Sequence, residues 1–103
     1  MSIKAKYGIR DLEKKYGKLT VGRFLRSWRL SEGLSQKEFA KKLRMSSANL
    51  CDLEKERKGV SPEKAYEIAG LIGYPPAVLV RMALQEQVEE VGLKFEVEIK
   101  PAA

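Results

Sequence analysis

Ser35 to Glu54, reading SQKEFAKKLRMSSANLCDLE, constrains this chain more than any other stretch, because it encodes two short helices with almost no chain between them. Ser35 with Glu38 three residues on is the S-x-x-E capping box, which satisfies two backbone donors that a helix start otherwise leaves orphaned. The first helix therefore begins at Gln36, and Phe39, Ala40 and Leu43 share one face while Lys37, Lys41 and Lys42 point away. It stops near Arg44. Ser46 or Ser47 caps a second helix in which Leu50 and Leu53 face inward, leaving Ser47, Ala48, Cys51, Asp52 and Lys55 on the outer face. Only that outer face is open to a partner.

The rest of the chain supplies helices for this pair to pack on. Thr20 can cap a helix whose inward stripe is Val21, Leu25 and Trp28, with Phe24 beside it, and Gly33 ends it. Ser61-Pro62 is an N-cap followed by proline at the first helical position. The buried face there is Ala65, Ile68, Ala69 and Ile72, and Gly73 closes the helix. Tyr74-Pro75-Pro76 turns the chain into a fifth helix containing Val78, Leu79, Met82 and Leu84. The expected fold is all-α: a bundle of five helices, preceded by a short helix at Ile9–Tyr16 and followed by a strand. The strand expectation rests on the strict alternation of Leu93, Phe95, Val97 and Ile99 with Lys94, Glu96, Glu98 and Lys100 after a stop at Gly92. Residues 1–19 read as a basic arm and short helix, 20–90 as the helical domain, and 91–103 as the strand, which needs a second strand from elsewhere.

Charge narrows the class of partner. The net charge of the 103 residues is +6, but it is uneven: residues 1–60 hold 16 Lys/Arg against 7 Asp/Glu, and residues 61–103 hold 4 against 7. The basic half contains the helix pair, so a polyanion is the expected partner. Histidine is absent and there is one cysteine, which rules out a Ser-His-Asp or Cys-His constellation and leaves no zinc spacing. Phosphate-loop and nucleophile-elbow motifs are missing too, so an enzyme is not expected, and no cofactor or metal either. Carboxylate pairs such as Glu54 with Glu56 read as ordinary surface charges. The lone cysteine, the lack of an apolar leader and the lack of a spanning run point to a cytoplasmic setting.

Residues 20–80 resemble the helix-turn-helix domain of the phage repressor and Cro class, the XRE family. The resemblance lies in V-G-R-F-L-R-x-W-R from Val21, G-L-S-Q-K-E-F-A at Gly33 to Ala40, S-x-x-x-L-x-x-L-E at Ser46 to Glu54, and S-P-x-x-x-x-x-I-A at Ser61 to Ala69. It implies a transcriptional regulator, a repressor by expectation, that binds a palindromic operator in double-stranded DNA as a homodimer, with the helix over 46–55 in the major groove. Ser47, Ala48, Cys51 and Asp52 then take the base-reading positions and Lys55 the far end of that face. Ser47 can bond to any base, Ala48 can touch a thymine methyl, and Asp52 can accept from cytosine, although a carboxylate near phosphates is costly unless paired. Asn49 points obliquely.

The same resemblance places Gln36 as a phosphate clamp and Arg29 with Glu54 as a buried ion pair between helices. Lys37, Arg44, Ser46, Arg57 and Lys58 are the further candidates for phosphate contact. Arg44 stands where the class usually has glycine at the turn, at a cost of about 1 kcal/mol if it adopts the left-handed conformation. Leu93, Phe95, Val97 and Ile99 would pair with a second copy of the chain or with another protein's sheet edge. The second option resembles antitoxins of the HigA type, which bind a RelE-like ribonuclease toxin and repress their own operon.

Overall fold

The computed structural model describes residues 19–102, and the expected basic arm and short helix at Ile9–Tyr16 lie outside them. Five helices follow one another in the described residues: α1 (Val21–Ser31), α2 (Gln36–Lys42), α3 (Ser47–Glu54), α4 (Pro62–Ile72) and α5 (Pro76–Glu90). Four of the five starts carry a side-chain cap. Thr20 accepts from Arg23 N at 3.1 Å, Ser46 from Asn49 N at 3.0 Å and Ser61 from Lys64 N at 3.0 Å. At α2 the full capping box forms, Glu38 N donating to Ser35 Oγ and Ser35 N to Glu38 Oε1, both at 3.1 Å. The backbone N–H of Ser35, and after it the Ser35 hydroxyl, hold the exposed Glu38 carboxyl below its ordinary pKa. α5 starts from a proline pair instead, with Val78 N reaching Pro75 O at 3.2 Å.

The apolar stripes meet in one core. Val21, Leu25, Phe39, Leu43, Leu50, Leu53, Ile68, Leu79 and Met82 are its largest fully buried side chains, drawn from every helix. α4 and α5 pack against each other on either side of the turn that begins at Gly73, which takes the left-handed conformation at φ 72°. On α5 the buried stripe is Val78, Leu79, Met82 and Ala83, and Leu84 is half-buried. Helical spacing explains the difference, because Ala83 lies four residues after Leu79 and Leu84 five. Trp28, expected inward, is half-buried and caps the core edge with Phe24 and Tyr74, the three ring centroids lying 4.7 to 6.0 Å apart.

The expected C-terminal strand is not formed. Residues 93–102 carry no regular secondary structure, and Leu93 and Phe95 are exposed. Alternation of apolar residues states which face would be covered, but a ladder needs a neighbouring backbone, and among the described residues only helices lie alongside. A side chain takes that place: Gln85 Nε2 donates to Phe95 O at 2.9 Å and Gln85 Oε1 accepts from Val97 N at 2.7 Å.

Candidate nucleic-acid interface

The turn between α2 and α3 sets the geometry of the pair. Arg44 takes φ 58°, the left-handed conformation usually given to glycine, and this lets Arg44 N bond to Lys41 O and Met45 N to Ala40 O. The chain thus passes from α2 to α3 within four residues. Leu43 is buried at the corner, its carbonyl accepting from Lys64 Nζ of α4 at 3.3 Å, while Arg44 itself is exposed. Leu50 and Leu53 then fix the back of α3 in the core, so its opposite face is presented outward.

A buried ion pair locks this pair to α1. Arg29 Nε and one terminal nitrogen donate to the two oxygens of Glu54 at 2.8 and 2.9 Å, and its other terminal nitrogen donates to Leu34 O at 3.0 Å. Glu54's side chain is 2% exposed. Burial opposes its ionisation, but the hydrogen bonds from Arg29 and Gln36 and the charges of Arg29 and Arg26 outweigh that, and its pKa lies below the ordinary carboxylate value. The hydrogen bond to Glu54 likewise raises Arg29 above its usual value. Gln36, expected as a phosphate clamp, directs its amide to Glu54 Oε1 at 3.1 Å. It therefore joins the first helix of the pair to the last turn of the second.

The remaining candidates fall into two groups. Ser47 and Ala48 are exposed at the start of α3, Cys51 and Asp52 are half-buried one turn on, and Lys55 is exposed at the end, so all five lie on or beside one outward surface. Lys37 and Arg44 are exposed on the α2 side of it, and the exposed Ser46 is the cap. Asn49 is turned inward: its Nδ2 reaches Met45 Sδ at 3.9 Å and its buried Oδ1 has no hydrogen-bond partner. Asp52 is paired, as a carboxylate near phosphates needs to be, with Arg57 at 3.4 Å. Glu56 makes this pairing geometrically accessible, since its φ of 59° folds the chain back so that Arg57 N also bonds to Asp52 O at 2.8 Å. Lys58 instead lines an open depression of about 380 Å³ whose other wall carries Glu86, Glu89 and Glu90. Arg57, the partner of Asp52, lines the same depression.

Three supporting contacts were not legible as such in the sequence. A Cβ on Gly22 would overlap the carbonyl of Leu53, so α1 and α3 touch backbone to backbone there. A glycine inside a helix is unfavourable by about 0.5–1 kcal/mol relative to alanine, and that unfavourable placement was the available signal. Thr20 donates to Glu56 at 2.9 Å and Arg23 pairs with the same carboxylate at 3.3 Å, tying the loop after α3 to α1. Val21 N donates to Glu86 Oε2 at 3.0 Å, which sets a carboxylate against the positive end of α1.

Among the described residues no group of His, Cys, Asp or Glu could hold a metal ion, and no helix is long and apolar enough to cross a membrane. No curated protein and no solved structure gives a significant match to the chain. The helix-turn-helix family profile does match, over residues 25–79, which is just over half of the sequence and spans α2, the turn, α3 and α4 whole. A left-handed turn after α2, a second helix buried only along its back, and an ion pair bracing both on α1 are what that match covers, and the chain belongs to the helix-turn-helix family of Cro/C1, or XRE, type.

Proposed function

We propose that this DNA-binding regulator is a repressor that acts as a dimer on a palindromic operator, with α3 in the major groove. The observation that carries the reading is the outward face of α3, where Ser47 and Ala48 stand exposed at the helix start while Leu50 and Leu53 hold its back in the core. An α-helix fits the major groove, and residues near its N-terminus reach base edges. Ser47, Ala48, Cys51 and Asp52 read bases in this account. Arg57 neutralises Asp52 and lowers the cost of bringing a carboxylate beside phosphates. Lys37, Arg44 and Lys55 frame the surface with positive charge and meet the backbone, and Gln36 steadies the pair through Glu54.

Selection of binding sites from random duplexes tests the reading. The expected result is a two-fold symmetric site whose affinity falls steeply with salt, by a slope of about 0.9 per phosphate neutralised. Changing Ser47, Ala48 and Asp52 together should abolish the preference while leaving weak salt-dependent binding. An unaltered site preference in that triple variant would sink the assignment of α3 as the reader. A second reading, an antitoxin that pairs with a ribonuclease toxin, draws on the exposed Leu93 and Phe95. Its mark would be a second, different chain copurifying in equal amount.

A further inference from the structure

The reading face described above lacks one kind of group. Ser47, Ala48, Cys51 and Asp52 carry no side chain that presents a donor and an acceptor side by side, and an adenine edge is read best by such a pair. The helix pair holds two amides, Gln36 and Asn49. Gln36 is engaged by the buried Glu54 at 3.1 Å. Asn49 is not so committed: its Nδ2 reaches the thioether of Met45 at 3.9 Å, and a thioether is a weak acceptor. Among the described residues, two buried side-chain polar atoms lack a hydrogen-bond partner, Asn49 Oδ1 and Trp28 Nε1. Trp28 is wedged between Phe24 and Tyr74, with ring centroids 6.0 and 5.9 Å away, and its indole is fixed as part of the core edge. Asn49 is a short side chain on a half-buried residue. At about 100° per residue it lies between Asp52, on the outward surface, and Leu53, in the core. A turn about its Cα–Cβ bond carries the amide across that boundary, and the flexible Met45 side chain can settle into the space it leaves.

We propose that Asn49 turns outward when α3 enters the major groove and reads one adenine in each half-site, its Oδ1 accepting from the N6 amino group and its Nδ2 donating to N7. The assignment rests on the placement of α3 in the groove and adds a specificity-determining residue to it. Turned outward, both ends of the amide are satisfied, whereas the inward position leaves one end buried and unpaired, so both states favour the exchange. The choice of base follows from the chemistry. Guanine presents acceptors at both N7 and O6, which sets Oδ1 against an acceptor. Cytosine offers a donor alone, and thymine an acceptor beside a methyl group. Of the four, adenine matches the amide.

Competition between duplexes tests this. Sites selected by the parent chain should hold one position per half-site at which adenine is preferred about 5- to 150-fold over any other base. Replacing that adenine with 7-deazaadenine, in which a C–H stands in place of N7, should weaken binding of the parent by about fivefold or more. In Asn49→Leu, close to the same size and able to stay inward, that preference and the 7-deaza effect should both vanish, while the remaining positions and the salt slope are unchanged. Asn49→Leu should also melt no lower than the parent, because it removes the unpaired acceptor. Asn49→Ala should repeat the binding result if the leucine does not pack. An Asn49→Leu chain that selects adenine wherever the parent does would overturn the proposal, as would parental binding indifferent to 7-deazaadenine at every selected adenine. With the Ser47, Ala48 and Asp52 triple variant having lost its preference, either result would leave α3 standing as the reader. A triple variant with unaltered preference, or a parent with no site preference, would overturn both.

Discussion

The helix pair centres on one polar side chain, Glu54, and the C-terminal segment on another, Gln85, with Arg81 donating to Val97 O beside it at 3.3 Å, and the surroundings of the two differ. Glu54 is buried and accepts from Arg29 and Gln36, so three helices converge on one carboxylate. Gln85 is half-buried on the outside of α5, and it holds backbone whose own side chains, Leu93 and Phe95, are exposed. A charge taken out of water is unforgiving of a lost partner, whereas an amide at the surface can exchange its bonds for water. The contrast separates a helix pair that folding itself makes rigid from a segment that is held in shape without being covered.

The largest test of that contrast is to break the ion pair. Arg29→Met leaves Glu54 charged and buried, and Glu54→Leu leaves Arg29, 13% exposed at its side chain, without its carboxylate. Each single change should lower unfolding free energy by about 3–5 kcal/mol, while the double change should come close to neutral, because the buried charges vanish together. Urea denaturation of the three variants decides this, and a double variant as unstable as either single would mean that the ion pair's geometry, and not charge burial, holds the helices. The pH dependence follows with a definite sign. Glu54's folded pKa is depressed, so its contribution is complete above the ordinary carboxylate value of about 4.3 and is lost as pH falls through the lower folded value. Acid titration of stability should therefore be steeper in the parent than in Glu54→Gln.

Next in size is the contact between backbones. Gly22→Ala places a methyl against the Leu53 carbonyl, and since neither partner is a flexible side chain, α1 and α3 must separate. The expected loss is about 1–3 kcal/mol, accompanied by weaker operator binding as α3 shifts. Gly70 is the control: it is helical and exposed, with nothing within 4 Å of an added Cβ. Gly70→Ala should stabilise by about 0.8–1.0 kcal/mol. Thermal melting of the two variants in opposite directions would show that packing at α1–α3, and not glycine as such, sets the effect.

Much of the helical frame was legible because its signals are local. Thr20, Ser35, Ser46 and Ser61 all cap, and Gly33, Gly73 and Gly92 all take positive φ at the expected stops. The pairing of Arg29 with Glu54 came from family resemblance and would not have followed from spacing alone, since 25 residues separate them. What escaped the sequence depends on three-dimensional choice. Gln36 can serve either an anion or a neighbouring carboxylate, and the proximity of Glu54 decides the bond seen here. The pairing of Asp52 with Arg57 needs Glu56 in a conformation that its residue type does not announce. The alternation from Leu93 to Lys100 was a sound statement about faces and said nothing of where a partner backbone would come from.

The smallest expected effect sharpens the comparison most, because it should be nearly invisible to global stability. Gln85→Ala removes the amide that bonds to Phe95 O and Val97 N but leaves the buried stripe of α5, Leu79, Met82 and Ala83, untouched. Both lost bonds can be replaced by water, and alanine is the better helix former, so the change in unfolding free energy should stay within about 0.5 kcal/mol. Amide exchange reads what denaturation misses. In the isolated chain at dilution, Val97 N–H should lose its protection in Gln85→Ala while Leu50 and Ile68 in the core keep theirs. Loss of protection at Val97 with the core unchanged would separate what Gln85 holds from what burial in the core holds.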